Sequence, residues 1–307
     1  MFIPVSLFIL GLILLVKGGD LFVDGATGVA RRFHIPELLI GATVVSVGTT
    51  LPEVIFSATS AMGGHGEFAY GNSIGSIICN TALVAAMTVI FRPSKIERRS
   101  LVLPVIFFFS AAILYSICAF LFGRFDRIIG IVFLIIFVLY VASLIWGARG
   151  NKEKIEVRGG SVGRFVLFLI VGGALIAVGA RLLVDNGTVI AEALGVPEAV
   201  IALTFVALGT SLPELITAIT SIVKGHGALA LGNVIGANVL NLTLVCGISA
   251  ALSPFTLPPS VIFDIPVMLS VMVILTVPTL IRGKLSRFQG IILILIYAAF
   301  CFWQFAF

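Results

Sequence analysis

The chain contains one segment twice. Residues 36–84 align without a gap onto residues 197–245, at a constant offset of 161, and 24 of the 49 aligned positions are identical. The best-matched stretches are GTTLPE against GTSLPE and GNSIGSIICN against GNVIGANVLN, so each copy places a glutamate and an asparagine within otherwise apolar sequence. A duplicated polar motif of this kind predicts one central site assembled from the two halves of the molecule.

The composition indicates that lipid is the main solvent of this chain. Hydrophobic residues make up 60% of the 307 residues and charged residues only 11%, which is more apolar surface than a soluble domain of this length can bury. The net charge of +5 does not indicate a nucleic-acid partner, because the basic residues fall in short loops between apolar runs. The four cysteines lie within apolar runs and form no CxxC pair, so we expect them to be small core residues.

The apolar runs predict an all-α integral membrane protein with ten transmembrane helices, since each span needs about 20 apolar residues. The predicted spans are 3–32, 36–62, 70–91, 101–122, 127–147, 163–193, 197–223, 228–251, 259–281 and 287–306. The first and sixth are long and contain several glycines, which is typical of helices that pack closely on their neighbours. We divide the chain into a first five-helix repeat at 1–147, a short cytoplasmic linker at 148–161 and a second repeat at 162–307.

The distribution of Lys and Arg predicts the orientation. With the N-terminus outside, the loops that face the cytoplasm hold fifteen basic residues and the outside loops hold two, Arg124 and Arg127, which is a strong positive-inside pattern. Because each half has five spans, an odd number, the second half must enter the membrane upside down relative to the first. The duplication is therefore an inverted repeat with both termini outside, an architecture found in many secondary transporters.

The first copy of the motif opens a helix beside an acidic side chain. Thr49 and Glu53 lie four residues apart on one helical face with Pro52 between them, so the carbonyl of Gly48 loses its helical partner. Free carbonyls and a mid-membrane carboxylate, which costs about 2.5–3.5 kcal/mol when isolated, require a cation or water. The second copy repeats the arrangement with Thr210, Pro213 and Glu214.

Ca²⁺ satisfies these groups, because it takes about 6–8 oxygen ligands from carboxylates, carbonyls and water. Glu53 and Glu214 supply a formal charge of −2, enough for one Ca²⁺ or two monovalent ions, and Asn80 and Asn241 add amide oxygens. Mg²⁺ fits less well because it sheds water reluctantly. Ser76 lies four residues before Asn80 and so shares the face of the helix that is turned to the site.

The GNxxG part of the motif has a packing role in this interpretation. Its glycines, Gly71 and Gly75 in one copy and Gly232 and Gly236 in the other, let a third helix approach the opened one closely. The asparagines within it, Asn72 and Asn233, are expected to satisfy backbone groups beside the break.

These repeats resemble the α-repeats of the sodium/calcium exchanger family, within the cation/Ca²⁺ antiporter superfamily, and the likeness to its compact prokaryotic members covers the whole chain. The resemblance implies that Glu53 and Glu214 bind Ca²⁺ directly, together with backbone oxygens at Thr49 and Thr210. It also implies two flanking Na⁺ sites, with Asn80 and Asn241 in the middle. One Na⁺ site is expected near Ser46, Thr49, Glu53 and Ser76, and its mirror near Ala207, Thr210, Glu214 and Ala237. Thr50 and Ser211 are further candidate ligands in the same motif.

Departures from the family pattern bear on the counter-ion. Ala237 stands where the first copy has Ser76, so one Na⁺ site would lose a ligand. Position 241 is Asn where some relatives carry Asp, which argues against K⁺ co-transport, and the GNxxE pattern of H⁺/Ca²⁺ exchangers is absent. The resemblance thus implies Na⁺/Ca²⁺ antiport, and H⁺/Ca²⁺ exchange is the alternative.

The implied mechanism is alternating access at a shared carboxylate site in the plasma membrane of a prokaryote, with the long first and sixth helices sliding across a rigid core. The expected partners are the transported ions Ca²⁺ and Na⁺ and membrane lipid, with no cofactor and no enzymatic activity, since the sequence has no HExxH, GxGD or Ser/His pair at membrane depth. A passive cation channel could use similar ligands and would differ by needing no opposing gradient. The sequence does not indicate an oligomeric state.

A few charged residues lie outside these motifs. Asp24 and Asp185 recur at the same offset of 161, and a capping or helix-packing role is favoured over a place on the ion path. Lys17 and Asp20 are predicted to form a local ion pair. His65 and His226, in matching GHG turns, are predicted to have turn or surface roles.

Overall fold

The computed structural model describes residues 2–64, 66–93, 96–150, 161–194, 207–257 and 261–306. It is helical almost throughout, with α1 Phe2–Phe33, α2 Glu37–Met62, α3 Gly66–Cys79 continuing to Phe91, α4 Arg98–Phe122, α5 Arg127–Gly150, α6 Val162–Ala193, α7 Leu212–Val223, α8 Gly227–Leu252, α9 Val261–Arg282 and α10 Arg287–Ala306. Within these described residues, nine helices are long and apolar enough to cross a membrane, and α7 is a shorter apolar helix preceded by a turn of helix at Ala207–Thr210. The prediction of ten membrane helices in two inverted five-helix repeats is confirmed.

Two predicted segments fall partly outside the described residues. The start of the seventh span lies in 195–206, and most of the predicted linker lies in 151–160. α5 continues to Gly150, three residues beyond the predicted end of its span. The four cysteines are free, and Cys79, Cys118 and Cys246 are buried, as expected for core residues.

The inverted relation of the halves is visible in their loop contacts. The amide of Ile96 donates to the carbonyl of Gly283 at 3.0 Å, and the amide of Leu257 donates to the carbonyl of Gly123 at 3.0 Å. Ile96 and Leu257 differ by the offset of 161, and the two glycines differ by one residue less than that. Beside the second contact, β1 (Arg124–Phe125) pairs antiparallel with β2 (Phe255–Thr256), a ribbon that the sequence did not predict.

Helices α1 and α6 form a close pair. A Cβ atom on Gly18 would lie 2.9 Å from the carbonyl oxygen of Gly172, and one on Gly179 would lie 2.8 Å from the carbonyl oxygen of Gly11. Only residues without a Cβ permit two helix backbones to approach this closely. The glycines predicted to allow close packing in the two long helices therefore pack them against each other.

The other helices surround a core in which α8 is deeply enclosed. Every residue from Leu229 to Leu240 is buried, and a Cβ on Gly232 would lie 2.1 Å from the carbonyl oxygen of Leu38 in α2. The predicted role of the GNxxG glycines is thus confirmed for the second copy. A Cβ on Gly71 or Gly75 meets no described atom within 4 Å, and residues 195–206, the counterpart of the start of α2, lie outside the described residues.

Four turns of π-helix interrupt the α-helices of the described chain, at Gly41–Val45, Asn80–Ala85, Cys118–Phe122 and Asn241–Val245. Two of them begin at Asn80 and Asn241, which are related by the offset of the repeat. π-Helical turns are rare and occur frequently at functional sites. Both copies of the duplicated motif therefore end in a π-helical turn, which begins at the asparagine predicted to lie at the site.

Candidate functional site

The two glutamates of the motif lie in the interior of the molecule. Glu53 in α2 and Glu214 in the first turn of α7 both have 0% exposure. The hydroxyl of Thr50, three residues before Glu53 on α2, lies 3.2 Å from Oε1 of Glu214, so the two motifs meet. The prolines before them have different effects. Pro52 is accommodated within a continuous helix, whereas the chain leaves the helix at Ser211 and begins α7 again with Pro213 in its first turn. The predicted opening is therefore a full break only in the second copy.

A pair of equivalent hydrogen bonds joins the halves. Thr49 donates to the amide oxygen of Asn233 at 3.1 Å, and Thr210 donates to the amide oxygen of Asn72 at 3.2 Å. Each bond links the GTxLPE motif of one half to the GNxxG motif of the other. Asn72 also donates to the carbonyl of Glu53 at 3.3 Å, a backbone group beside the proline, as predicted. The amide nitrogen of Asn233 has no partner among the described residues, so the prediction holds for the first copy only.

A second set of contacts is not equivalent in the two halves. Thr50 donates to Oε1 of Glu214 at 3.2 Å, so a hydroxyl of the first half is bound to the carboxylate of the second. The residue equivalent to Thr50 is Ser211, and its hydroxyl donates instead to that of Ser76 at 3.4 Å. Among the described residues, Glu53 therefore has no side-chain donor corresponding to the one that Glu214 has.

The centre of the site holds many polar atoms that find no partner among the described residues. They are Oε1 and Oε2 of Glu53, Oε2 of Glu214, and both amide atoms of Asn80 and of Asn241. Each is fully buried, and leaving a buried polar atom unpaired costs about 1–3 kcal/mol, with more for a charged group. The carboxylate and amide oxygens of this cluster could meet a ligand that carries positive charge.

The asparagines lie where the halves cross. The π-helical turn that begins at Asn80 contacts α7, which carries Glu214, and the turn that begins at Asn241 contacts α2, which carries Glu53. Both asparagines have 0% exposure. Each asparagine therefore lies in a segment that contacts the helix carrying the glutamate of the other half.

The chemistry of these donors is that of a hard-cation site. Carboxylate, amide, hydroxyl and carbonyl oxygens suit Ca²⁺ and Na⁺, whereas nitrogen and sulfur ligands suit transition metals. Within the part of the chain that the structure describes, no group of three or more His, Cys, Asp and Glu side chains could hold a metal ion. A cation bound between these residues would therefore be held by two carboxylates together with neutral oxygen donors.

The remaining residues predicted for the Na⁺ sites are Ser46, Ala207 and Ala237. Ser46 is buried, donates to the carbonyl of Thr43 at 3.1 Å, and lies against Gly236, where a Cβ would be 2.6 Å from its hydroxyl. Ala207 opens the short helix Ala207–Thr210. Ala237 is buried and offers no hydroxyl at the position equivalent to Ser76.

Two polar residues of α7 were missed by the sequence reasoning. The hydroxyls of Thr217 and Ser221 are buried and meet no partner among the described residues, and they lie three and seven residues after Glu214, on the same helical face. That spacing was the available signal. In the first half the equivalent positions are Phe56 and Ser60, so the extra hydroxyl at position 217 belongs to one half only.

A cavity of about 280 Å³ leads from one flank of α6 to the motif. Its lining includes Pro52, Gly209, Thr210, Pro213, Arg181 and Asp185. Residues of both GTxLPE motifs therefore border a space whose wall also carries charged side chains of α6. A larger groove of about 690 Å³ beside α5 is lined by apolar side chains and by Thr43, whose hydroxyl is bound to the carbonyl of Leu39 at 2.7 Å. It suits hydrocarbon and offers nothing to a cation.

The model of the family described as "Sodium/calcium exchanger protein" matches this chain twice, over residues 3–146 and 164–306. The chain belongs to the sodium/calcium exchanger family. Its similarity to individual proteins also covers most of its length. It is 37% identical to the inner membrane protein YrbG of Escherichia coli over 275 residues, which are 84% of this chain and 83% of the relative.

Two further comparisons extend over nearly the full length. The sodium/calcium exchanger MaX1 of Methanosarcina acetivorans is 29% identical, with 96% of each chain covered. A structure of the sodium–calcium exchanger NCX_Mj soaked with Na⁺ and Sr²⁺ superposes with a TM-score of 0.85 at 33% identity, covering 97% of each chain. The resemblance that the sequence motifs implied is therefore confirmed at the level of the family and of the fold.

Proposed function

We propose that this protein is a secondary antiporter that exchanges Na⁺ for Ca²⁺ by alternating access at the site around Glu53 and Glu214. The observation that carries the proposal is the set of buried carboxylate and amide atoms that lack partners among the described residues where the two halves cross. A site of charge −2 is neutralised by one Ca²⁺ or by two Na⁺, so the two kinds of ion compete for it. Because an uncompensated charge is costly in the membrane, the neutralised site passes most readily through a closed state.

In this proposal the first-choice Ca²⁺ ligands are both oxygens of Glu53, Oε2 of Glu214 and the amide oxygens of Asn80 and Asn241. The hydroxyls of Thr49 and Thr210 are already bound to asparagines, which leaves their backbone carbonyls as the atoms available to the ion. One Na⁺ site lies near Ser46, Thr49, Glu53 and Ser76 in this proposal. The other lies near Ala207, Thr210, Glu214 and Ala237, with Thr50 and Ser211 as further candidate ligands. Ca²⁺ and Na⁺ are substrates in this proposal, which requires no cofactor.

We also infer the orientation from the charge of the loops. The basic loops face the cytoplasm of a prokaryote and both termini lie outside, with 1–147 and 162–307 as the two repeats and 148–161 as the linker. α6 runs outward from its N-terminus in this arrangement, so the cavity beside it opens to the outside. The protein would then be in a conformation that admits ions from outside the cell.

H⁺/Ca²⁺ exchange is the alternative, and a specific observation favours considering it. Ala237 removes a hydroxyl from one proposed Na⁺ site, and Glu53 has no side-chain donor among the described residues. A proton on a buried carboxylate would neutralise it without needing the missing ligand. Na⁺ remains the first proposal because the chain lacks the GNxxE pattern of H⁺/Ca²⁺ exchangers.

The decisive experiment is ⁴⁵Ca²⁺ uptake into proteoliposomes on which either a Na⁺ gradient or a pH gradient is imposed. We expect uptake to follow the Na⁺ gradient and to be lost in Glu53→Gln and Glu214→Gln. Glu192→Gln, which removes a carboxylate from an exposed position on α6, is the matched control and should transport normally. Uptake that follows only the pH gradient would identify H⁺ as the counter-ion in place of Na⁺. Uptake without any opposing gradient would indicate a channel. Normal exchange by either site variant would refute the site.

A further inference from the structure

A lysine links α1 to the end of α7. Lys224, the residue after α7, places its ammonium 2.8 Å from Oδ1 of Asp24, 2.8 Å from the carbonyl oxygen of Asp20 and 3.4 Å from Oδ1 of Asp20. Just before Asp20, α1 touches α7 directly, because a Cβ on Gly19 would lie 2.7 Å from the hydroxyl of Thr220. The predicted pair of Lys17 and Asp20 is wrong, since Asp20 meets Lys224 instead.

The opposite flank has no equivalent link among the described residues. The counterparts of Asp20 and Asp24 are Arg181 and Asp185, which form an exposed ion pair with each other along α6 at 3.5 Å. The counterpart of Lys224 is Gly63, which has no side chain to reach across. Helix α6 is therefore not tied to the end of α2 in the way that α1 is tied to the end of α7.

The two flanks also differ in the space beside the motif. The cavity at α6 is lined by Val184 and Gly209. A Cβ would meet the neighbouring long helix both at Gly209, 2.6 Å from Val184, and at its counterpart Gly48, 2.9 Å from Phe22, so this contact is shared. The exposure of the long helices differs instead: Phe22 and Val23 of α1 have 3% and 0% exposure, whereas their counterparts in α6, Leu183 and Val184, are partly exposed. The side chains of α1 are thus buried on this flank at the positions where those of α6 border the cavity. The flank beside α6 therefore has a cavity and no ion pair to α2, whereas on the flank beside α1 the side chains are buried and Lys224 pairs with α1.

We propose that Lys224 is a latch that closes the second path to the ion site by holding Asp20 and Asp24 of α1 against the end of α7. The inference rests on the proposed function, because a second path is required only if the site is reached alternately from both sides. For that path to open, α1 must leave α7 and the ammonium must part from both carboxylates. Two aspartates then line the freed mouth, whereas the other mouth carries an arginine and an aspartate.

The latch makes the two end states unequal in energy. The ion pairs are partly exposed, with the side chains of Lys224, Asp20 and Asp24 at 23%, 46% and 53% relative exposure. Two pairs of this kind correspond to roughly a 2- to 30-fold change in the ratio of the closed to the open flank. Removing Lys224 should shift the population towards the state that is open beside α1.

The test uses cysteine labelling of the full-length protein in lipid nanodiscs, where both faces are accessible and no transport is needed. Val23→Cys reports on the flank beside α1 and Val184→Cys on the flank beside α6. Each is made with Cys301→Ser, since the other three cysteines are buried. The rate of reaction with a maleimide is then measured by mass shift, with and without Lys224→Gln. Lys224→Arg is the conservative control, and Arg181→Gln removes a charge from the other mouth without touching a latch.

We expect Lys224→Gln to raise the labelling rate at position 23 by roughly 2- to 30-fold and to lower it at position 184. Lys224→Arg and Arg181→Gln should leave both rates near their starting values. An unchanged rate at position 23 would overturn the latch, and so would faster labelling at both positions, which would mean that Lys224 only stabilises the fold. Because the readout is accessibility, a latch can be established even if the transported ions turn out to differ from those proposed.

Discussion

Replacing Glu53 by glutamine tests whether this carboxylate binds an ion or stabilises the fold. The side chain is fully buried and neither of its oxygens has a partner among the described residues, so an ionised Glu53 is uncompensated when no cation is bound. The substituted glutamine would keep the shape of the side chain, lose its charge and sacrifice no hydrogen bond made by the carboxylate. We therefore expect the ion-free variant to be at least as stable as the native protein.

The loss should appear when Ca²⁺ is present. Removing one member of a buried charge pair costs about 2–5 kcal/mol, which is roughly a 30- to 5,000-fold loss of Ca²⁺ affinity. At a Ca²⁺ concentration about 100 times the native Kd, binding stabilises the native protein by about 2.7 kcal/mol. A variant that binds about 30 times more weakly would gain only about 0.9 kcal/mol at that concentration, and weaker binders would gain less.

Thermal unfolding in detergent, with chelator and with Ca²⁺, measures both effects. The Ca²⁺-dependent rise in melting temperature should fall to about a third or less in Glu53→Gln, while Glu192→Gln, at an exposed position, should behave as the native protein does. The reasoning is refuted if Glu53→Gln unfolds more easily in chelator and yet gains the native stabilisation from Ca²⁺. Glu53 would then support the fold and the ion would bind elsewhere.

Two other substitutions test single contacts. Thr50→Val removes the 3.2 Å hydrogen bond to Glu214, and because a bond to a charged group contributes about 1.5–3 kcal/mol, Ca²⁺ affinity by isothermal titration should fall by about 10-fold or more. An affinity equal to the native one would mean that Thr50 does not orient the carboxylate. Gly232→Ala places a Cβ 2.1 Å from the carbonyl oxygen of Leu38 and should lower the free energy of unfolding by at least about 1–3 kcal/mol. Gly147→Ala, which meets no described atom within 4 Å, should not destabilise the protein.

The sequence predicted the part of the structure that repetition and polarity encode. A carboxylate retained in both copies of an apolar segment was expected at the centre of the molecule, and Glu53 and Glu214 are both fully buried, with Thr50 of the first motif bound to Glu214. The identical tripeptide Leu-Pro-Glu nevertheless gives two backbones, a continuous α2 and a broken helix at Ser211. Local sequence sets the tendency of proline to open a turn, and packing against the surrounding helices decides whether the turn separates.

Long-range contacts explain what was missed. Asp20 was assigned to Lys17, a neighbour on its own helix, although Lys224 is its partner across 204 residues. The π-helical turns at Asn80 and Asn241 likewise have no signature in the sequence. In both cases the outcome depends on contacts between helices that are distant in the chain. The spacing of residues along a single helix carries no information about such contacts.

The positions at which the two halves differ bear on which conformation the protein favours. If the two halves were identical, the states open to either side would be related by a two-fold axis and would have equal free energy. A free-energy difference of about 1.4 kcal/mol would be needed to favour one state tenfold. Such differences can arise only where the halves differ. Ser57, which accepts a hydrogen bond from Asn72 at 2.9 Å, corresponds to Ala218, and Lys224 corresponds to Gly63. Comparing the halves with each other therefore identifies the residues that set the direction of the conformational equilibrium, while the matched residues identify the site that both states share.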